Sequence, residues 1–305
     1  MLARRLSKGD TIGVVSPSTP AKAGDVKFDT GVEYLRRMGF KILPGKHVHS
    51  ESWSYAASPQ EKADDLNAMF ANPKVKAIIC TQGGSTANAC LGHLDYDLIR
   101  RNPKILLGIS DITVLLNAIY TQTGLVTFHG NDVMWGFGNN PAPYDMDEFV
   151  ARLMEAKIGP VAPNGPRQTI RGGTAQGRLL GGNLECLLKL VGTPYFPDLR
   201  ASILFLEAFQ PTPERCDYQL HQLQHMGLFE QIVGVILGYM DGLENTDSAL
   251  QVPDVLLQIT QQYDFPILKV KDFGHNCPNT TLPVGVKIHL DADHQTYEIV
   301  EPCVL

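Results

Sequence analysis

The sequence predicts an α/β protein: a parallel sheet with helices on both faces, followed by a smaller, mixed α/β unit. Three observations carry this. Short apolar runs alternate with amphipathic stretches through the first half, the pattern of strands joined by crossover helices. The segment Ile158-Gly-Pro-Val-Ala-Pro-Asn-Gly-Pro then interrupts it with three prolines and two glycines. Further strand-like runs follow. A chain of 305 residues, at ~100–200 residues per domain, suits two domains. We expect an N-terminal domain over 1–157, a linker over 158–176 and a C-terminal domain over 177–305.

Thr11-Ile-Gly-Val-Val-Ser reads as a buried strand ending in a Ser-Pro-Ser-Thr-Pro turn, and Lys22 to Met38 as a helix. Lys41-Ile-Leu-Pro is a second short strand. Ser58-Pro59-Gln60-Glu61 is a helix start, with Ser58 as cap, Pro59 in the first turn and Glu61 closing a capping box. That helix carries Ala63, Leu66, Met69 and Phe70 at helical spacing and stops near Asn72-Pro73. Val75 to Cys80, Lys104 to Gly108 and Val126 to His129 are further strands, with a helical run from Val114 to Tyr120. Parallel sheets bind ligands at the carboxyl ends of their strands, so the loops at Ser16, Gly83 and Ser110 should share one rim. Later strands are expected at Ala201 to Glu207, Ile232 to Gly238 and Val286 to Asp291, and a helix from Cys216 to Met226. No internal repeat or low-complexity tract interrupts the chain.

Hydrophobic residues make up 44% and charged residues 19%, enough apolar material for a full core. The net charge of −6 argues against a sequence-independent nucleic-acid binder. Six cysteines are scattered without C-x-x-C spacing and read as buried or partly buried thiols. The N-terminus lacks an apolar core of the kind signal peptides need, and no run approaches the ~18 apolar residues of a membrane span. A soluble cytoplasmic protein is the expectation. The histidines and carboxylates show no metal-binding spacing, so we expect neither a catalytic metal nor another cofactor.

Four places can carry chemistry. In Gly108-Ile-Ser-Asp-Ile-Thr113 a serine directly follows a strand and opens a helix. Backbone N–H groups of that first turn would face whatever Ser110 attacks. Taken alone, the tetrad fits a helix cap better than a nucleophile, and it lacks the second glycine of a G-x-S-x-G elbow. Gln82-Gly83-Gly84-Ser85 offers either close backbone approach to a ligand or a plain tight turn. It is not a dinucleotide fingerprint. Glu207 closes an apolar strand, as a solvated terminus or a site carboxylate. His275 lies in a loop rich in breakers, a better setting for catalysis than the helical His221 and His225. Ser, Glu and His together suit a triad, which only geometry establishes.

The chain resembles the LD-carboxypeptidase and microcin C immunity serine peptidases over nearly its whole length. The matching segments include Gly9-Asp-Thr-Ile-Gly-Val-Val-Ser-Pro-Ser, Lys76-Ala-Ile-Ile-Cys-Thr-Gln-Gly-Gly, Leu94-Asp-Tyr-Asp and Asn102-Pro-Lys. Gly108-Ile-Ser-Asp-Ile-Thr, Gly124-Leu-Val-Thr-Phe-His-Gly, Gly177-Arg-Leu-Leu-Gly-Gly-Asn-Leu, Gly192-Thr-Pro-Tyr, Leu204-Phe-Leu-Glu and Gly274-His275…Leu282-Pro-Val-Gly285 follow in order. The resemblance implies a Rossmann-like (flavodoxin-like) N-terminal domain with Ser110 as nucleophile. It implies a C-terminal domain with Glu207 as orienting acid and His275 as general base. The N–H groups of Asp111 and of Gly83 or Gly84 would form the oxyanion hole. It further implies a metal-free cytoplasmic homodimer with its site between domains.

Several positions depart from the family pattern. Ile109 replaces a common tyrosine, Gln82 stands where many carboxypeptidase members carry arginine, Asn131 replaces proline, Ala208 replaces an acid and Tyr218 an arginine. Two substrates follow from the resemblance: a murein tetrapeptide losing its terminal D-alanine in cell-wall recycling, or a peptidyl or aminoacyl nucleotide cleaved at its amide in microcin immunity. A nucleobase needs an aromatic platform. Trp135 is one candidate, although packing is the commoner use of such a tryptophan, and Trp53 is the only other tryptophan. A ligand-binding member without activity is the non-enzymatic alternative, and retention of Ser110, Glu207 and His275 argues against it.

Overall fold

The computed structural model describes residues 1–244 and 251–305. Five strands open the chain: β1 (Thr11–Val15), β2 (Lys41–Pro44), β3 (Val75–Cys80), β4 (Ile105–Gly108) and β5 (Thr127–His129). They pair in parallel in the order β2-β1-β3-β4-β5, a flavodoxin-like winding whose switch point lies between β1 and β3. The strands are almost wholly buried except β2 at the edge, which is why they read as continuous apolar runs rather than alternating ones.

Helices α1 (Val26–Arg37), α2 (Pro59–Ala71), α3 (Tyr96–Arg101) and α4 (Thr113–Thr123) connect these strands, and α5 (Pro143–Phe149) follows them. Asp25 caps α1 through the N–H groups of Lys27 and Phe28. The capping box at α2 is formed in full: Ser58 accepts from the Glu61 N–H, and Glu61 accepts from the Ser58 N–H. Gly124, left-handed at φ +73°, ends α4.

The second sheet contains β6 (Gly159–Pro160), β7 (Gln168–Arg171), β8 (Thr174–Asn183), β9 (Ser202–Phe209), β10 (Gly234–Asp241) and β11 (Ile267–Gly274). The stretch expected as a linker thus supplies β6 and β7, the two edge strands of this sheet. Edges tolerate the prolines and glycines that suggested a linker. Strands β8 to β11 run parallel to one another, so their carboxyl ends share one side. Helices α6 (Leu184–Leu188), α7 (Pro213–His225) and α8 (Val252–Ile259) accompany them.

Strand β12 (Leu282–Val284) leaves this half and pairs antiparallel with β5, completing the first sheet. The chain returns through β13 (Lys287–Asp291) and β14 (Thr296–Ile299), which extend the second sheet beside β8. One continuous apolar core runs through both halves. Among the described residues no helix is long and apolar enough to cross a membrane. All six cysteines are free thiols, five buried and Cys277 half-buried.

Candidate active site

The carboxyl edges of both sheets face one cavity of about 870 Å³. From the first sheet come Thr19, Gly83, Gly84 and Ser110, after β1, β3 and β4; from the second come Phe209 and His275, at the ends of β9 and β11. Ser16 stays beneath this rim. Its hydroxyl is buried and donates to the Val48 carbonyl, 2.8 Å away, and it lies 2.8 Å from the Thr81 hydroxyl.

Ser110 is not a helix cap. Ile109 is still extended, a 3₁₀ turn spans Ser110–Ile112, and neither this turn nor α4 has a side-chain cap. Ser110 itself sits at φ +65°, in the left-handed region that costs a non-glycine residue about 1–3 kcal/mol and that clusters at functional sites. Gly83 packs directly on it. A Cβ at position 83 would lie 2.8 Å from Ser110 Oγ, and one at Gly84 would meet the Thr19 and Ser18 hydroxyls at 2.2 and 2.5 Å. The Gly-Gly pair is therefore a close-approach device rather than a plain turn.

Glu207 and Asn183 are register partners on β9 and β8. Glu207 is fully buried. Its Oε1 accepts from Asn183 Nδ2 at 3.0 Å, and its Oε2 accepts from His275 Nδ1 at 2.6 Å. Buried His129, at the end of β5, brings Nε2 to 3.9 Å from Oε1. Burial opposes ionisation of Glu207, but the charge of His275 and the neighbouring His129 outweigh it and hold the carboxyl below its ordinary range. Burial likewise opposes charge on His275. The Glu207 charge and hydrogen bond, with Asp132 and Asp241, prevail and raise the imidazole above 6.5. Phe209 packs against the same ring, tilted by 34° with centroids 4.7 Å apart. Nδ1 is engaged by the carboxylate, which leaves Nε2 as the ring nitrogen outside that bond.

Asp132 and Trp135 also line the cavity. Asp132 is buried and accepts from the Trp135 and Gly136 N–H groups at 2.7 and 3.1 Å; burial pushes its carboxyl up to about 6. Trp135 is 57% exposed. Its Nε1 donates to Gln82 Oε1 at 3.1 Å, and Lys27 Nζ sits 4.2 Å from the ring centroid. Trp53 is exposed too but does not line this cavity. Among the described residues no cluster of three or more His, Cys, Asp or Glu side chains is placed to hold a metal ion.

Sequence reasoning named Ser110, Asp111, Gly83, Gly84, Glu207 and His275, and the fold brings them together. It assigned no role to Asn183, Phe209, Asp132 or Lys189. Asn183 lay in plain view after Gly181-Gly182, but its partner is 24 residues away on the next strand, and nothing in the local pattern points there.

A serine at a strand end, a glycine loop pressed against it and a histidine backed by a buried carboxylate form the equipment of a serine hydrolase. Comparison with known proteins narrows the class. Residues 12–130 match the LD-carboxypeptidase N-terminal domain, and residues 176–290 the LD-carboxypeptidase C-terminal domain. The Escherichia coli microcin C7 self-immunity protein MccF is 32% identical, over 99% of this chain and 96% of its own length. A probable murein peptide carboxypeptidase of Bacillus subtilis is 31% identical over 96% and 92%. MccF solved in complex with aspartyl sulfamoyl adenosine superposes with a TM-score of 0.93 at 31% identity, covering all of both chains. The chain belongs to the LD-carboxypeptidase family and is a serine carboxypeptidase.

Proposed function

We propose that this enzyme hydrolyses an amide bond in a small peptide substrate by a Ser110–His275–Glu207 triad. The observation that carries the reading is the 2.6 Å bond from His275 Nδ1 to buried Glu207, on the rim of the cavity that Ser110 lines. His275 takes the Ser110 proton as Oγ attacks the carbonyl carbon. The N–H groups of Asp111 and of Gly83 or Gly84 hold the oxyanion. The C–N bond then breaks, and His275 returns the proton to the departing amine. Water, activated by His275, releases the acyl group and restores Ser110. The N-terminal unit supplies nucleophile and oxyanion donors, the C-terminal unit acid and base.

The leading substrate is a murein tetrapeptide, cleaved between its L- and D-centres to release D-alanine. The family and the Bacillus relative support it. A second reading, cleavage of an aminoacyl or peptidyl nucleotide amide, is favoured by the exposed Trp135 face in the cavity wall. The reading includes a cytoplasmic homodimer without nucleic-acid or membrane partners and without a cofactor.

The test is to incubate the enzyme separately with murein tetrapeptide and with aspartyl sulfamoyl adenosine and to identify products by mass spectrometry. D-Alanine release supports the first reading and nucleoside release the second. Ser110→Ala should abolish either while keeping the fold; wild-type turnover by that variant would refute the mechanism.

A further inference from the structure

The carboxylate of Asp111 is fully buried directly behind the nucleophile. Its Oδ2 accepts from the Ser18 hydroxyl at 2.5 Å and from the Ala87 N–H at 2.8 Å. Its Oδ1 accepts from Lys189 Nζ at 2.5 Å. Lys189 stands just after α6, in the other half of the protein, and its ammonium also donates to the Ser85 carbonyl at 3.2 Å. One residue further along, buried Lys62 donates to the Thr86 hydroxyl at 2.6 Å and to its carbonyl at 3.2 Å. The segment from Ser85 to Ala87 is therefore gripped from three sides. Gly83 and Gly84, which immediately precede it, touch Ser110 and Ser18.

We propose that Asp111 and Lys189 form an interdomain clamp that fixes the Gly83–Gly84 loop against Ser110, making Lys189 a positioning residue for the oxyanion hole. The proposal rests on the serine mechanism above but on neither substrate. A loop held through two charged side chains has little freedom to drift, and oxyanion donors act only when aimed where the charge develops. A displacement of about 1 Å costs on the order of 10²-fold in rate. The contribution crosses from the domain that carries Glu207 and His275, so docking of the two halves and assembly of the oxyanion hole become one event.

The test compares Lys189→Met, Lys189→Arg and Ser18→Ala with wild type. Steady-state kinetics are read beside the affinity for a small acylamino-alkyl boronic acid, which adds to the serine hydroxyl and places an oxygen in the oxyanion position. The clamp predicts for Lys189→Met a kcat lower by about 10²-fold, KM within about twofold, and boronate affinity lower in step with kcat. Lys189→Arg should recover most of both, since it returns a cation to the Asp111 carboxylate. If Lys189→Met fails to fold, Ser18→Ala, which removes one neutral donor from the same carboxylate, should still lower boronate affinity severalfold with KM unchanged. A folded Lys189→Met with wild-type kcat and boronate affinity overturns the clamp, as does an unaffected Ser18→Ala when Lys189→Met does not fold. Activity or boronate binding surviving in Ser110→Ala would instead refute the serine mechanism.

Discussion

Gly83 approaches Ser110 so closely that a Cβ on residue 83 would stand 2.6 Å from the Ser110 Cβ. Neither atom can retreat easily, because Ser110 already occupies a left-handed conformation and the loop is held by the Gly83 carbonyl accepting from Thr19 N–H at 3.2 Å. Gly83→Ala should therefore displace Ser110 rather than unfold the protein. We expect kcat to fall by about 10² or more with the far-ultraviolet circular dichroism spectrum unchanged. An alanine variant that turns over like wild type would mean that the loop yields.

The His275–Glu207 pair sets the pH dependence. In the proposed triad an imidazolium cannot accept the Ser110 proton, so kcat/KM should decline as pH falls through the His275 pKa, which is raised from 6.5. Glu207→Gln removes the charge that raises it. The acid limb should then move to lower pH while kcat drops by about 10⁴. A pH–rate series on both proteins checks the direction of the shift.

The same pair contributes to folding stability with opposite dependences on pH. The raised His275 pKa gives stability that is full below 6.5 and lost as pH rises through its folded value. The depressed Glu207 pKa gives stability present above 4.5 and lost as pH falls below it. Their joint contribution is largest between those two values. Thermal midpoints of wild type and Glu207→Gln across that range should differ most there.

Trp135 separates the two substrate readings. Its indole is tethered at Nε1 by Gln82, while much of the ring remains open. Trp135→Ala should raise KM for an aminoacyl nucleotide amide by about tenfold, the loss of one base–aromatic stack, and leave murein tetrapeptide cleavage near wild type. Equal effects on both substrates would reduce Trp135 to packing.

The capping box on α2 is remote from this chemistry. Ser58→Ala removes one of its two reciprocal bonds and should cost about 1 kcal/mol, read as a lower urea midpoint with kcat unchanged.

What the sequence makes legible follows the range of each interaction. Capping at Ser58 and the apolar runs of β1, β3, β4 and β5 are local, and the structure reproduces them within a residue or two. Alternation of strand and helix was enough for a parallel sheet with helices on both faces, while the flavodoxin-like winding was implied by the family resemblance. Residues 158–176 were harder, because proline and glycine mark linkers and edge strands alike. The local reading of Ser110 as a cap failed for a different reason: backbone strain leaves no mark in residue type. The neighbours of Glu207 and Asp111 come from other strands and from the other domain, so Asn183, Lys189 and the packing of Phe209 on His275 had no readable signal. The local reading named Ser110, Glu207 and His275 as candidates, and the ordered family motifs along the chain gave them the triad roles that spacing alone did not.

Strand β12 has a consequence for synthesis. Leu282 pairs with His129, about half the chain away, and contacts so distant in sequence form late. While the ribosome is still making the second half, β5 has an open edge, and an uncovered apolar edge invites pairing with another chain. The half that bears Ser110 is therefore completed only after Glu207 and His275 have been translated, and a nascent chain cannot present a finished first sheet before both residues exist.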